Sequence, residues 1–220
     1  MDSTTMAKSR SKYANIPVKY QGLGFAAWKP YNERSEAALT AVQGFLDTFP
    51  QRCVSEPPEG SRALVGQGIA FVGSPGAGKT TLACITGTEV LNRHDRSIFF
   101  ISYADYIAAL VKQNSLGRLI DKGDQKAMDL YWAIESMAQK VINYPFVVFD
   151  DVGKEHHTRS GFAEDEFDRV LRARFRNGRP SGLSSNIPFE EWGKIYNPSM
   201  ESFVREAFVE VAMGGKDLRR

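Results

Sequence analysis

A short glycine-rich segment carries the residue types that bind phosphate. Residues 73–80 read GSPGAGKT and match the pattern G-x-x-x-x-G-K-[ST] in full. The glycines permit backbone conformations that turn successive N–H groups toward phosphate oxygens. The Lys79 ammonium can reach the β- and γ-phosphates, and the Thr80 hydroxyl can bind Mg²⁺. The pattern predicts a site for ATP with Mg²⁺, whose nucleotide-binding residues are Gly73, Ser74, Pro75, Gly76, Ala77, Gly78, Lys79, Thr80 and Thr81.

Two adjacent carboxylates follow an apolar run further along the chain. Residues 146–149 read FVVF, and Asp150 and Asp151 come directly after them. Beside a phosphate loop, one such acid holds Mg²⁺ and a second orients and activates the attacking water. The order predicts Asp150 as the metal ligand, together with Thr80, and Asp151 as the catalytic base. A strand end whose acids face solvent is the alternative. The tandem acid favours hydrolysis over phosphoryl transfer to a metabolite.

An amide side chain ends another short run. Residues 182–186 read GLSSN, so Asn186 follows two serines. Its amide could lie between the metal-bound acid and the γ-phosphate and distinguish a triphosphate from a diphosphate. It could equally belong to a simple turn before Pro188.

Arginines cluster downstream of the acidic pair, and they leave two interpretations open. Arg169, Arg172 and Arg176 share one helical face, with Arg174 and Arg179 nearby. The segment begins acidic and ends basic, which the helix dipole favours, so an ordinary solvated helix is one interpretation. Contact with nucleic acid or with a neighbouring subunit's phosphate is the other. The dipeptide at 156–157, two histidines, lacks a second ligand pair with zinc-like spacing and predicts a flexible loop instead.

The elements that position these residues alternate between strand and helix. Strands are predicted at 67–72, 97–102, 146–149, 182–185 and 208–212, and helices at 33–49, 80–94, 103–116, 124–143 and 164–177. Pro50 is expected to stop the first helix. Strands alternating with helices of this length indicate an α/β fold with a mostly parallel sheet.

Composition narrows the class of protein. The chain has 220 residues, of which 42% are hydrophobic and 25% charged, with a net charge of +2. These fractions are typical of a globular domain, and the charge neither requires nor excludes nucleic acid. Two cysteines cannot form a disulfide framework, and neither an export signal nor a long apolar run is present. The sequence therefore predicts a cytoplasmic protein with no membrane contact, and a flexible tail at residues 1–15.

Taken together, these motifs resemble the DnaC/IstB group of AAA+ ATPases, which are helicase loaders and transposase helpers related to DnaA. The resemblance covers roughly residues 16–220. It runs from Ile16-Pro17 and Tyr20 through GIAFVG at 68–73, FDDVG at 149–153, NGRP at 177–180 and SSN at 184–186 to GKDLRR at 215–220. It implies a P-loop three-layer sandwich with a mostly parallel five-stranded sheet. The domain would span 16–220, with a lead-in and helix at 16–62.

The resemblance also implies roles for residues that spacing alone leaves open. Asn186 would be the sensor-1 residue and Arg219 the sensor-2 residue, and Arg205 would be the arginine finger that reaches a neighbour's ATP. Family members typically form spirals with ATP at subunit interfaces, bind single-stranded DNA and act on a ring helicase. The protein is thus expected to be an ATPase from a bacterium or bacteriophage, and a slow, DNA-stimulated hydrolysis would fit this group.

Three functions remain open at this point. The first is a replication factor that loads or remodels a replicative DNA helicase on single-stranded DNA. The second is an IstB-like transposition or recombination helper that assembles on DNA with ATP, with a transposase as partner. The third is a metabolite kinase. Typical loaders carry a separate N-terminal helicase-docking module, which the short segment before Ile16 does not supply. DNA contacts are expected between residues 103 and 118, where Tyr103, Tyr106, Lys112 and Arg118 offer stacking and charge, although both tyrosines could belong to the core.

Overall fold

A five-stranded parallel sheet forms the centre of the molecule. The computed structural model describes residues 14–54, 62–153 and 161–215. The strands are β1 (Gly68–Gly73), β2 (Ile98–Ser102), β3 (Phe146–Val152), β4 (Ser181–Ser185) and β5 (Phe208–Met213). Their order in the sheet is β2-β3-β4-β1-β5, and every pairing is parallel. The sheet that was predicted to be mostly parallel is therefore parallel throughout.

Helices cover both faces of this sheet. Within the described residues they are α1 (Glu33–Asp47), α2 (Phe49–Arg52), α3 (Lys79–His94), α4 (Tyr103–Ser115), α5 (Gly117–Ile120), α6 (Gln125–Asn143), α7 (Phe162–Arg176), α8 (Phe189–Ile195) and α9 (Pro198–Ala207). Single 3-10 turns occur at Val18–Tyr20, Phe25–Ala27 and Arg62–Leu64.

The alternation of side chains along each strand divides the core into two layers. Ile69 and Phe71 of β1 pack with α1, α2 and α3, whereas Ala70 and Val72 belong to the layer formed by α4 and α6–α9. Successive strand residues point to opposite faces, so a strand that is apolar at every position is buried on both sides. The three-layer sandwich implied by the family resemblance is therefore confirmed.

A fully buried arginine joins the end of α7 to the sheet. The Arg174 guanidinium donates hydrogen bonds to the carbonyls of Val141, Tyr144 and Pro180 at 2.8–3.0 Å and to Ser181 Oγ at 2.8 Å. Burial lowers the pKa of Arg174 to about 9, with a smaller effect from the nearby charge of Arg179. Arg174 thus organises the turn between α6 and β3 and the entry to β4.

The described chain is packed from its first residue. Ala14 is buried, its carbonyl accepts a hydrogen bond from the Phe100 N–H at 2.8 Å, and Asn15 Nδ2 donates to the Phe100 carbonyl at 2.8 Å. Phe100 lies in β2, at the edge of the sheet. Ala14 and Asn15, which the sequence analysis placed in the flexible tail, are therefore part of the folded domain.

Most predicted elements match the structure within two residues, and the exceptions have local causes. The helix expected to end at Pro50 ends at Asp47, and Pro50 instead occupies the first turn of α2, where its missing N–H costs nothing. Strand β3 continues beyond Phe149 through both acids to Val152. Helices α8 and α9 were not predicted from periodicity, since α8 is a short helix and α9 begins at Pro198, directly after its N-cap residue Asn197.

The two cysteines are free, as expected. Cys84 is buried in α3, and Cys53 is half-buried after α2. Burial raises the pKa of the Cys53 thiol to about 12 and raises that of Cys84 still further. Both thiols are therefore protonated at neutral pH and behave as packing groups.

Candidate functional site

The phosphate loop connects the end of β1 to the start of α3. Gly76 and Gly78 have φ angles of +81° and +84°, a region that favours glycine. Gly78 is also the N-cap residue of α3, so the loop ends where the positive end of the helix dipole begins. The segment therefore directs a helix N-terminus at the surface where the sequence predicts phosphate.

Lys79 is held inside this loop. Its ammonium donates hydrogen bonds to the carbonyls of Gly73 and Ser74, both at 2.8 Å, and the residue is only 6% exposed. A buried ammonium requires compensating oxygen atoms, and the loop carbonyls supply two of them. The positive charge is thus fixed at the position from which the sequence pattern expects it to contact phosphate.

Thr80 and Asp150 meet as the sequence predicts for two ligands of one ion. Thr80 Oγ1 donates a hydrogen bond to Asp150 Oδ1 at 2.9 Å, and the Ser184 hydroxyl donates a short hydrogen bond to the same oxygen. Burial raises the pKa of the Asp150 carboxyl, while the bonds from Ser184 and Thr80 act in the opposite direction. A hydroxyl and a carboxylate beside a phosphate loop are the oxygen donors that Mg²⁺ uses together with nucleotide phosphates. The donor set therefore fits Mg²⁺.

Asp151 lies at an irregularity in β3. Its φ angle is +55°, which is uncommon for a non-glycine residue, and the register between β3 and β4 shifts between Phe149 and Val152. The Asp151 N–H donates a hydrogen bond to Ser184 Oγ at 2.9 Å. The bulge lets consecutive residues diverge: Asp150 is buried beside Thr80, whereas Asp151 borders the open cleft.

An open cleft brings most of the predicted residues together. It is lined by Pro75, Gly76, Gly78, Lys79, Thr80, Thr81, Asp151 and Asn186, and also by Lys19 and Tyr20. Gly73 and Ser74 line an adjacent cleft that Asn186 also borders, and Ala77 is buried beneath the loop. Asn186 therefore lies at the junction of the two clefts.

The N-terminal lead-in supplies contacts that motif reasoning did not assign to the site. Lys19 and Tyr20 lie in the 3-10 turn Val18–Tyr20, and the Lys19 ammonium is 5.4 Å from the centre of the Tyr20 ring. The Tyr31 hydroxyl donates a hydrogen bond to the Ala77 carbonyl at 3.0 Å. The motif Ile16-Pro17 with Tyr20 was noted only as part of the family resemblance, and it was the available signal for these contacts.

Arg205 is not among the residues that line this cleft. Arg205 lies in α9, before β5 as the resemblance implies, and its exposed guanidinium pairs with Glu201 at 3.1 Å and Glu190 at 3.6 Å. Arg219 lies outside the described residues. The roles of both arginines therefore stay predictions.

The proposed stacking contacts with DNA were wrong for both tyrosines. Tyr103 and Tyr106 are fully buried, and their hydroxyls donate to the Ala163 carbonyl and to Glu166 Oε1 respectively. Their α4 positions face the helical layer, where Tyr103 packs against Phe167 at a ring-centre distance of 4.6 Å. Lys112 and Arg118, in contrast, are exposed.

The arginines of α7 are engaged within the chain. Arg169 binds Glu166 through two hydrogen bonds of 2.7 Å, and Arg172 binds Asp168 at 2.6 Å. Both pairs join residues three or four apart, which is the geometry of an ordinary helix surface. This outcome favours the first of the two interpretations of the cluster. The histidine pair at 156–157 lies outside the described residues, and within the described ranges no group of three or more His, Cys, Asp or Glu residues could hold a metal ion.

The phosphate loop between β1 and α3, the two acids near the end of β3 and the sheet order β2-β3-β4-β1-β5 together define a P-loop nucleotide-binding protein. More narrowly, the chain belongs to the family of IstB-like ATP-binding proteins. The family model matches residues 45–204, well over half of the chain, and this range includes the phosphate loop, both acids and Asn186. No curated protein matches the chain in sequence.

Three solved structures are similar in fold. The DnaC helicase loader aligns with a TM-score of 0.66 and 20% identity, covering 90% of this chain and 100% of that chain. DnaI aligns at 0.64 with 16% identity over 93% and 95% of the two chains. The replication initiator DnaA bound to AMPPCP and single-stranded DNA aligns at 0.63 with 16% identity, covering 92% of this chain and 52% of that chain. The predicted AAA+ type of P-loop fold is therefore confirmed. No helix among the described residues is long and apolar enough to cross a membrane.

Proposed function

We propose that the protein binds ATP with Mg²⁺ in the cleft above the phosphate loop and hydrolyses it. The observation that carries this proposal is the convergence of Lys79, Asp151 and Asn186 on one cleft, with Thr80 hydrogen-bonded to Asp150 at its base. Phosphoryl transfer to water uses groups of these kinds: a positive charge, two oxygen donors for a cation, a second carboxylate and an amide. The family membership supports the choice of ATP.

Each side chain has a defined task in this proposal. Lys79 and the loop N–H groups bind the β- and γ-phosphates, and Thr80 and Asp150 would hold the ion. Mg²⁺ supplies charge neutralisation on the phosphate oxygens when it is bound. Asp151 accepts a proton from the attacking water, and Asn186 orients the water or the γ-phosphate. Lys19 and Tyr20, which also line the cleft, offer a cation and an aromatic ring for the base or ribose.

The wider role that we propose is a DNA-replication factor that loads or remodels a replicative helicase on single-stranded DNA. Its support is the fold shared with a helicase loader over nearly the whole of both chains. In this role the protein forms a homo-oligomer with ATP at subunit interfaces, where Arg205 completes a neighbour's site and Arg219 contacts the nucleotide. Lys112 and Arg118, exposed on α4 and α5, are the DNA-contact candidates that the structure leaves accessible.

A second candidate role is a transposition helper that assembles on DNA with ATP. The observation that favours it is the family match itself, because the matching family is described as IstB-like. Electron microscopy of the protein on DNA with ATP separates the two roles, because long filaments support the helper and disfavour the loader.

The first experiment is ATP hydrolysis by the purified protein across a concentration series, with and without single-stranded DNA. The variant Lys79→Ala removes the loop ammonium and is expected to lose nucleotide binding and hydrolysis at least tenfold. Lys194→Ala, at an exposed position of α8, is the matched control. A rate per subunit that rises with concentration and responds to DNA supports shared sites in a DNA-bound assembly. A rate that depends on neither contradicts the interface roles, and dependence on a small acceptor would instead indicate a metabolite kinase.

A further inference from the structure

The hydroxyl of Ser184 lies between the two acids of the site. It donates a hydrogen bond to Asp150 Oδ1 and accepts one from the Asp151 N–H at 2.9 Å. Ser184 is fully buried in the middle of the sheet, in β4, two residues before Asn186. A single side chain on one strand therefore contacts both acids on the neighbouring strand.

The bond to Asp150 determines how this carboxylate can turn. Thr80 and Ser184 both donate to Oδ1, so the two donors approach the same oxygen from α3 and from β4. Oδ2 receives neither of these bonds. Two fixed donors on one oxygen restrict rotation of the carboxylate, and outer hydrogen bonds of this kind orient metal ligands in proteins.

The bond to Asp151 stabilises an unusual backbone conformation. A non-glycine residue with φ of +55° has an unfavourable conformation, and its N–H lies at a bulge where the regular pairing of β3 with β4 shifts. The Ser184 oxygen accepts this N–H and so satisfies a backbone donor that the bulge removes from the regular pairing. The same hydroxyl thus maintains the divergence of Asp150 toward Thr80 and Asp151 toward the cleft.

We infer that Ser184 is a positioning residue that aligns the metal carboxylate and the catalytic base through one hydroxyl. Ser184 does not line the cleft, so it would act only through Asp150 and Asp151. Because Asn186 follows directly after β4, a displacement of the chain at Asn186 would be transmitted through Ser184 to both acids. This inference rests on the proposed function, since it assigns Ser184 to the Mg²⁺-ATP site.

The chain contains a matched control at the next position. Ser185 is as buried as Ser184, and its hydroxyl also donates one hydrogen bond and accepts one. Its partners are the Val152 carbonyl at 2.9 Å and the Ile187 N–H at 3.1 Å, so it contacts neither acid. A purely structural effect of losing a buried serine hydroxyl should therefore be similar in Ser184→Ala and Ser185→Ala.

The experiment compares wild type, Ser184→Ala, Ser184→Thr and Ser185→Ala. Affinity for a fluorescent ATP analogue is measured in EDTA and across a Mg²⁺ titration, with hydrolysis and urea denaturation measured in parallel. We expect Ser184→Ala to bind the analogue in EDTA within twofold of wild type. Its half-saturating Mg²⁺ concentration should rise, and its turnover fall, by roughly 10- to 100-fold. Ser184→Thr retains the hydroxyl and should restore most of both values.

The outcomes separate this inference from the proposed function. If Ser184→Ala and Ser185→Ala show the same Mg²⁺ dependence, or if both lose urea stability and activity in proportion, the positioning role is overturned. If wild type gains affinity from Mg²⁺ but hydrolyses no ATP, the hydrolytic function fails while the Mg²⁺ titration still tests Ser184. If wild type gains no affinity from Mg²⁺, both proposals are overturned.

Discussion

The hydroxyl of Tyr31 donates a hydrogen bond to the Ala77 carbonyl at 3.0 Å, which ties the N-terminal lead-in to the phosphate loop. Asn32, the next residue, binds the Gly214 carbonyl at 2.9 Å and caps α1. The segment before α1 thus connects the loop, the first helix and the chain that follows β5. Contacts from outside the motif therefore help to fix the loop conformation that binds phosphate.

Replacement of Tyr31 by Phe is expected to weaken nucleotide binding modestly. The change removes one hydrogen bond and leaves the ring, so the free energy of unfolding should fall by about 1 kcal/mol. If that bond preorganises the loop, nucleotide affinity should fall by up to about fivefold. Isothermal titration with ATP and urea denaturation measure the two effects. Tyr144→Phe, at the amino end of β3 and thus at the opposite end of the sheet, should leave affinity unchanged; equal losses in both variants contradict the role of Tyr31.

Replacement of Asp150 by Asn should separate stability from function. Asp150 is a buried carboxylate whose charged form is disfavoured by burial, and Asn retains an oxygen that can accept from Thr80 and Ser184. In EDTA, the variant should be at least as stable as wild type, while its Mg²⁺-dependent hydrolysis should fall by two orders of magnitude or more. Differential scanning fluorimetry and a phosphate-release assay are the measurements. A variant that unfolds more readily in EDTA would show that the carboxylate stabilises the fold.

Arg174 is expected to be essential for folding rather than for DNA or nucleotide binding. Arg174→Met fills similar space but leaves the carbonyls of Val141, Tyr144 and Pro180 without their donor. The free energy of unfolding should fall by about 3 kcal/mol or more. Arg176→Ala, on the exposed side of α7, should change it by no more than about 0.5 kcal/mol. Urea denaturation followed by circular dichroism tests this difference, and equal stability of the two variants would contradict it.

The ion pairs of Arg205 should regulate its availability to a neighbour. Arg205 is held by Glu201 and Glu190 of its own chain, and exposed ion pairs of this kind are weak and easily broken. If Arg205 completes an adjacent site, Glu201→Gln should lower the protein concentration at half-maximal ATPase rate by up to about fivefold. Glu191→Gln, at an exposed neighbouring position of α8, is the control.

Arg205→Ala provides the complementary test. It should abolish hydrolysis while leaving nucleotide binding intact, since the finger acts on a neighbour's phosphate. Loss of nucleotide binding in this variant, or hydrolysis at the wild-type rate, would remove Arg205 from that role.

The order of elements could be predicted from sequence because β1 and the first four residues of β3 are apolar and the long helices have clear periodicity. These patterns indicate which residues are buried, and the buried faces determine how the helices and the sheet pack into layers. The predictions were weaker at short elements such as α8. Their helical conformation depends on tertiary contacts, exemplified by Trp192 of α8 against Phe167 of α7 at a ring-centre distance of 5.8 Å, rather than on a repeated pattern.

In the candidate site, too, local sequence motifs could be predicted, whereas contacts between distant residues could not. The phosphate loop and Asp150-Asp151 could be predicted from residue type and spacing, because each group of binding residues is contiguous in the sequence. The contacts of Ser184 could not be predicted, since the bulge at Asp151 arises only when β3 pairs with β4. Tyr103 and Tyr106 suggested stacking because aromatic residues near basic ones suit DNA, yet their hydroxyls find partners inside the core, at Ala163 and Glu166.

The attachment of Ala14 and Asn15 to Phe100 bears on how copies of this protein can associate. An uncovered outer strand invites backbone pairing with a second chain, which leads toward fibres that dissolve slowly. One outer strand, β2, is covered near its midpoint by Ala14 and Asn15 of the same chain, which bind the backbone of Phe100. We therefore expect that a second copy does not extend the sheet at β2, which leaves β5 and the helical surfaces for any association between copies.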